Sequence, residues 1–507
     1  MLGKSPLTSA DADRSPAGQA GPGRRARATR QGAAAAAAAL RRNWLATALL
    51  AAGLVLRVLV QLAYRPALFY IDTVRYLYNA DGNDPVGYKG PLRAILLIAN
   101  FNAVAAFQHL LGLAMAVAIY LLLRRRGVSR WLAALAMTPV LLDAYQLQME
   151  QTIMPDTLFE ALIVAGLAIL LWQPRASWRS VVAAGVVLGT SATVAQVGEV
   201  LLVPALIYLL AAGGGWRHAL GKAAVLCAAF ALPILAYCTG SYLLSGAFFL
   251  SHTGVTSTYG RMAAAADCGT LRLPSAERGM CPTPAQQANG PDWLEYNAAS
   301  PVQPYYRNLP RGEVNSLVAD FSHRVLTQQP MRVLSAYGHD VVKLFMLTRT
   351  TGQGDTPISR WQFQTTYPYY DSQTTEPIVR AAVSRFGGGE PTVWRPVAAF
   401  LRSYQLGGGY TPGPLLAVLT LTGLAGSAAL LRRRADPGTR QRALACLLLF
   451  ASAVLVTLVS DLFEFSWRYQ LPVLVTLVPA GALGISVIIS SVRASRGSGG
   501  TAAARPA

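Results

Sequence analysis

The ionisable residues of this 507-residue chain gather at the edges of long apolar runs, where charge is costly. Asp72, Asp81 and Asp84 follow the first run. Glu150 and Asp156 border the third and fourth, Glu199 interrupts the boundary of the fifth and sixth, and Asp461 and Glu464 precede the tenth. An ionisable group at a membrane boundary destabilises unless it is hydrated, paired or used, and a cavity open to one side would hydrate all of these together. Arg75, Lys89, Arg93, Arg349 and Arg468 fall on that same side, and Arg or Lys is the usual partner of a phosphate. A partly desolvated carboxylate has a raised proton affinity and can take the proton of an attacking group. His109, His218, His252, His323 and His339 are isolated from one another, and no Cys or His pair has zinc-site spacing, so structural roles are expected for them.

The elements that must position these side chains are membrane spans. Hydrophobic residues make up 53% of the chain and charged residues 13%, with a mean hydropathy of +0.36, a composition outside the soluble globular range. The net charge of +20 is scattered in short clusters between apolar runs, which argues against a nucleic-acid partner. A span needs about 20 apolar residues. About ten candidates cover residues 44–64, 103–123, 131–147, 156–172, 180–195, 197–212, 223–246, 413–431, 443–460 and 470–490. Lys and Arg in short loops resist translocation. Arg124-Arg125-Arg126 with Arg130, Arg175 with Arg179, Arg217 with Lys222, Arg432-Arg433-Arg434 with Arg440 and Arg442, and Arg493 with Arg496 therefore mark the cytoplasmic side. The alternate segments, with the carboxylates, face outward.

The expected fold class is an all-α polytopic membrane protein with a large extracytoplasmic loop domain. Residues 1–42 read as a disordered basic cytoplasmic tail and 43–246 as a membrane module of about seven spans whose first outer loop is 65–102. Residues 247–412 form the outer loop domain, 413–491 a module of about three spans, and 492–507 a second cytoplasmic tail. The expected location is the cell inner (plasma) membrane, with both termini cytoplasmic. Cys227, Cys238 and Cys446 lie in apolar runs and behave as small hydrophobes. Cys268 and Cys281 share the outward loop, where oxidation is permitted, and a disulfide between them is expected. Arg57 lies mid-span and calls for a partner on a neighbouring helix. The stretch Val333 to Leu347 is amphipathic and suits an interfacial helix. The aromatic clusters Tyr305-Tyr306 and Tyr367-Pro368-Tyr369-Tyr370 suit contact with a sugar or acceptor.

The first outer loop carries Tyr70-Ile71-Asp72-Thr73-Val74-Arg75-Tyr76 and then Asp84-Pro85-Val86-Gly87-Tyr88-Lys89-Gly90-Pro91. Gln108 opens a second span that ends in Arg124-Arg125-Arg126-Gly127. Leu141-Leu142-Asp143-Ala144-Tyr145 leads through Glu150 to Met154-Pro155-Asp156-Thr157, and Arg468-Tyr469-Gln470-Leu471-Pro472 opens a late span. This order of motifs resembles the GT-C membrane glycosyltransferases that use polyprenyl-phosphate sugars, including the protein O-mannosyltransferase-like and aminoarabinose transferase-like branches, over roughly residues 44–215 and 443–490. The resemblance implies transfer of a sugar from a polyprenyl-phosphate donor to an envelope glycan, lipid or protein acceptor, at the extracytoplasmic face, with inversion at the anomeric carbon. It implies Asp72 as the catalytic base. Arg468, Arg75, Lys89, Arg93 and Arg349 are then candidates for the donor phosphate, and Glu150, Asp156, Tyr76, Tyr88 and Glu464 for the acceptor or for support. Many members carry an acidic pair in this loop. Here Ile71 and Thr73 flank Asp72, so no cofactor is fixed and a divalent cation stays open. The alternative is a transporter or lipid flippase, which suits ten spans with buried charge; against it, no internal repeat is visible, and seven spans precede the long loop while three follow it. A non-catalytic scaffold would leave the outer carboxylates without a common purpose.

Overall fold

In hydrocarbon every backbone N–H and C=O must find its partner inside its own segment, so an apolar run of this kind folds as a helix. All ten expected segments do so in the computed structural model, which describes residues 38, 40–78, 87–212, 215–251, 253–370, 374–431 and 436–500. Most of the N-terminal tail expected to be disordered, Asp81, Asp84, His252, Arg432 to Arg434 and the last seven residues lie outside the described residues.

The first membrane module runs α1 (Trp44–Ala63), the short α2 (Thr73–Tyr78) and α3 (Lys89–Ile98), then α4 (Phe101–Arg125), α5 (Arg130–Leu142), α6 (Ala144–Gln151), α7 (Asp156–Leu171), α8 (Trp178–Val194), α9 (Leu202–Ala211) and α10 (Trp216–Ser245). The long segment expected to form the outer region holds α11 (Thr253–Ala265), α12 (Pro284–Gln287), α13 (Gly290–Tyr296), α14 (Gln303–Asn308), α15 (Arg311–Gln328), α16 (Pro330–Lys343), α17 (Glu376–Phe386) and α18 (Arg395–Leu406). Three long helices close the chain: α19 (Gly413–Ala428), α20 (Pro437–Phe463) and α21 (Pro472–Gly500). The one described sheet is a two-residue antiparallel ladder, β1 (Tyr64–Arg65) against β2 (Thr392–Val393), which ties the end of α1 to the start of α18.

Six helices are long and apolar enough to cross a bilayer unaided: α1, α4, α10, the helix from Gly413, α20 and the segment Trp467–Arg493. The chain is thus a multi-pass membrane protein, and the other expected spans are shorter helices packed among these. The third departs most from expectation. Residues 131–147 read as one span, yet the helix stops at Leu142 because Asp143 turns the chain and caps the next helix, its carboxylate accepting from the Tyr145 backbone N–H. The eight residues of α6 then run wholly buried. Between α8 and α9 a tight 3-10 turn, Gln196–Leu201, stands where the sequence breaks its apolar run.

Close packing rests on small residues, as is usual where helices meet without a hydrophobic drive. A Cβ on Gly484 of α21 would lie 2.0 Å from the Thr422 carbonyl oxygen of α19, so nothing larger than glycine fits. The outer region has a core of its own, built from Tyr259, Met280, Leu294, Val314, Val318 and Phe321. The Cys268–Cys281 disulfide forms beside it as expected, with the two Cα atoms 6.0 Å apart. Tyr64 at the end of α1 stacks on Phe363, ring centroids 5.7 Å apart, which joins the outer region to the membrane module.

Candidate active site

The first outer loop is anchored before it carries any chemistry. Leu68 exchanges backbone hydrogen bonds with the segment after α6, accepting from Ile153 N–H at 2.9 Å and donating to the Gln151 carbonyl at 3.0 Å. The Thr73 hydroxyl accepts from Tyr70 N–H at 2.9 Å and donates to the Ile153 carbonyl at 3.0 Å. These bonds fix Asp72 close to Asp156, which opens α7 three residues after Ile153. Arg468 completes the group from the 3-10 turn Trp467–Gln470 that leads into α21. Its Nη1 meets Asp72 Oδ2 at 3.1 Å and its Nε meets Asp156 Oδ1 at 2.8 Å. Arg75 pairs with the other oxygen of Asp72.

These residues line a cavity of about 1160 Å³ together with Tyr76, Glu464, Asp292, Arg360, Trp361 and Tyr370. That is at or above the usual size of a small-molecule site. The Asp72 side chain keeps 15% of its surface exposed and Arg468 9%, so the charges are largely withdrawn from water but reachable. Burial alone would push the Asp72 carboxyl up, but Arg75 and then Arg468 outweigh it and hold it below the usual carboxylate range. The raised proton affinity expected from desolvation is therefore reversed by two guanidinium groups. Glu464 behaves oppositely. Burial, then Asp292, then Glu295 push it well above the ordinary value against the pull of Arg468, so the cavity favours its protonated form. Asp292 is also raised, by burial first, with Arg360 opposing and Asp72 adding to the rise.

An aromatic wall faces these charges. The Tyr70 ring lies 4.6 Å from Trp361 and 5.3 Å from Tyr370, and its hydroxyl accepts from Arg360 at 3.1 Å. Several polar atoms of cavity-lining residues have no hydrogen-bond partner among the described residues: Asp156 Oδ2, Ser466 Oγ and Trp361 Nε1. Buried polar atoms in that state are costly, and a polar ligand would supply what they lack. For the divalent cation left open by the sequence, no group of three His, Cys, Asp or Glu side chains among the described residues is placed to hold a metal ion.

The structure thus brings together Asp72, Arg75, Tyr76, Asp156, Glu464 and Arg468, and places five other expected residues elsewhere. Glu150 lies on buried α6 with none of its side chain exposed, 2.7 Å from Arg57 and 2.9 Å from His109 Nδ1. It answers the mid-span Arg57 and faces no outer cavity. Gly112 makes the room, since a Cβ there would lie 2.1 Å from Glu150 Oε1. Arg349 pairs with Asp143 at 3.2 Å and lies over the Tyr145 ring at 4.3 Å, pinning the turn between α5 and α6. The buried Tyr88 donates its hydroxyl to Gln108 Oε1 at 2.7 Å. Arg93 donates to the Leu77 carbonyl at 2.8 Å. Lys89 is half-buried at the start of α3 and does not line the cavity.

Sequence reading missed Tyr70, Asp292, Glu295, Arg360, Trp361 and Tyr469, all of which line the cavity. The spacing Asp292-x-x-Glu295 on one short helix was a usable signal. Of the two aromatic clusters, Tyr369 and Tyr370 line the cavity, while the Tyr305 hydroxyl bonds the Ala276 carbonyl instead.

Residues 91–250 match the family model described as dolichyl-phosphate-mannose-protein mannosyltransferase. The match spans about a third of the chain and bears out the GT-C resemblance. It contains Asp156 and lies between Asp72 and Arg468. No curated protein matches the chain. Among solved structures, the S. cerevisiae protein O-mannosyltransferase complex bound to the sugar donor is similar at 16% identity over 44% of this chain and 36% of that one, with a TM-score of 0.34. The archaeal oligosaccharyltransferase AglB from Archaeoglobus fulgidus, in complex with an inhibitory peptide and a dolichol-phosphate, is similar at 13% identity over 92% of this chain and 53% of that one, with a TM-score of 0.39. This chain therefore spans about a third and about half of the lengths of those two proteins.

Proposed function

We propose that the chain is a membrane glycosyltransferase of GT-C type that moves a sugar, hexosyl or pentosyl, from a polyprenyl-phosphate donor to an envelope glycan, lipid or protein acceptor. The reaction takes place at the extracytoplasmic face of the plasma membrane, with both termini cytoplasmic. The observation that carries this reading is the meeting of Asp72, Asp156 and Arg468, from three distant parts of the chain, in one cavity at the ends of the membrane helices.

In the proposed reaction the acceptor hydroxyl or amine attacks the anomeric carbon and gives its proton to Asp72. The carbon–oxygen bond to phosphate breaks, and the polyprenyl phosphate leaves with the electron pair. Inversion requires the base and the leaving group on opposite faces of the sugar. The departing phosphate gathers negative charge, and preorganised cations in a withdrawn cavity stabilise it more than water would. Arg468 and Arg75 fit that role. Their pairing with Asp72 gives the base a switch: when a phosphate draws Arg468 away, Asp72 loses one of the cations that hold its carboxyl low, and its proton affinity rises as the donor arrives. Glu464, whose protonated form burial favours, can donate a hydrogen bond to a sugar oxygen, and Tyr70, Trp361 and Tyr370 offer ring faces to apolar sugar surfaces. Tyr76 and Asp156 support the acceptor side. Arg349, Tyr88 and Arg93 act by holding the loops in place, and Glu150 by pairing with Arg57.

The test is purified protein in detergent with a radiolabelled polyprenyl-phosphate sugar and an envelope extract as acceptor. A glycosyltransferase releases polyprenyl phosphate and a covalent glycoside in equal amounts, and Arg468→Gln lowers both together. Movement of intact donor across sealed vesicles with no covalent product would support the carrier reading instead.

A further inference from the structure

A second concavity lies at the opposite end of the same helices. The α7 helix runs from Asp156 in the cavity to Leu171, 16 residues or roughly 24 Å at 1.5 Å per residue, and α8 runs back from Trp178 to Val194 at the cavity wall. Between the far ends of α7, α8, α9 and α10 sits a pocket of about 320 Å³ lined by Arg175, Tyr208, Leu209, His218 and Lys222. Nothing in the proposed sugar transfer uses it.

We propose that this pocket binds the phosphate headgroup of an anionic phospholipid from the leaflet opposite the catalytic cavity. The charge is one-signed. Segments 124–130, 171–180 and 212–222, which meet at this end, contain Arg124, Arg125, Arg126, Arg130, Arg175, Arg179, Arg217 and Lys222 and no Asp or Glu at all. Among the described residues no carboxylate lines the pocket, and basic pockets between membrane helices are suited to acidic headgroups.

The pocket is also built. Lys222 donates to the Ala176 carbonyl at 2.6 Å and lies 5.8 Å from the Trp178 ring. His218 packs edge-on against the same ring at 5.2 Å. Arg126 donates to the Gln173 carbonyl at 2.8 Å, fixing the link that carries Arg175. Exposed Trp172, Trp178 and Trp216 surround the site, the placement of an aromatic belt at headgroup depth. Leu210 and Leu220, each 50% exposed beside it, give acyl chains a surface to follow. That apolar rim favours a lipid over a free phosphate.

The experiment uses the full chain, delipidated in detergent, and measures binding by native mass spectrometry and by the rise in apparent Tm on adding phosphatidylglycerol, phosphatidylcholine or inorganic phosphate. Phosphatidylglycerol should bind and stabilise where phosphatidylcholine does not. Each cation removed should weaken binding about fivefold, so Arg175→Gln loses about fivefold and Arg175→Gln with Lys222→Met about 25-fold. Arg175 is exposed, and its single variant keeps the lipid-free Tm of the wild type, which separates lost binding from misfolding. Equal binding of the two lipids, unchanged affinity in Arg175→Gln, or the same Tm rise from inorganic phosphate would each overturn the proposal.

Discussion

Arg57 and Glu150 form a pair inside the first membrane module whose disruption can be worked out in advance. The Arg57 side chain is 2% exposed and that of Glu150 0%. Arg57 also donates to the carbonyls of Gly53, Val140 and Leu141 at 3.0–3.1 Å. Replacing Arg57 by Met leaves a buried carboxylate facing only His109 and the side chain of Gln146 at 3.5 Å. Breaking a buried pair from one side costs about 3–5 kcal/mol. Glu150→Leu is equally severe, because the guanidinium keeps its three carbonyls but loses its counter-charge. The double variant removes both charges and should regain about half of that loss or more, since an apolar replacement of a buried pair is often close to neutral. At roughly 2 °C per kcal/mol for a large chain, each single variant lowers the apparent Tm in detergent by about 6–10 °C, and the double variant by clearly less. If the two single losses simply add in the double, the coupling is absent and the assignment of Glu150 to structure is wrong. A Glu150→Gln protein that melts as the wild type does but no longer transfers sugar would return Glu150 to the chemistry.

The remaining predictions concern the cavity and the outer region. Asp72 is held low, so it accepts a proton only once ionised, and the rate should fall as pH drops through its value; Arg468→Gln removes one of the cations holding it down, so the acid limb of the kcat/KM profile should move to higher pH. Burial holds Glu464 well above the ordinary carboxylate value, which favours its protonated form in the cavity. Glu464→Gln, which mimics that form, should change turnover by about threefold or less, consistent with loss of about one hydrogen bond; a much larger loss would show that the carboxylate is the working form. The Cys268–Cys281 bridge closes a loop of sequence separation 13, worth about 3 kcal/mol on chain-entropy grounds. Reductant should lower the apparent Tm of the wild type and leave that of Cys268→Ser/Cys281→Ser unchanged.

Local pattern made much of this architecture readable before any coordinates. The expected apolar runs became helices, one of them broken in two at Asp143, Cys268 and Cys281 met, and Asp72, Asp156 and Arg468 could be placed on one side because charge asymmetry orients spans. The failures share a physical cause: each depended on a partner far away in the chain. Glu150 looked like an outer-loop carboxylate, and only the approach of Arg57, 93 positions earlier, and His109, 41 positions earlier, makes it an interior one. The span 131–147 looked continuous because Asp143 carries no visible sign that it will bind Arg349, 206 residues on. Arg360 and Trp361 come from a region without the apolar periodicity that marks spans, so nothing local tied them to the cavity. The proton affinity of Asp72 was misjudged only partly for that reason: Arg75, three residues on, is the stronger of the two cations that hold it low, and the second, Arg468, lies 396 residues away.

The most direct measurement is single-turnover transfer from a polyprenyl-phosphate sugar by Asp72→Asn protein beside the wild type, with donor binding measured in parallel. The amide keeps the size and cannot take a proton. Donor binding should persist while transfer falls by about 10²-fold or more, the usual weight of a general base. Transfer at the wild-type rate by Asp72→Asn would contradict the account at its centre.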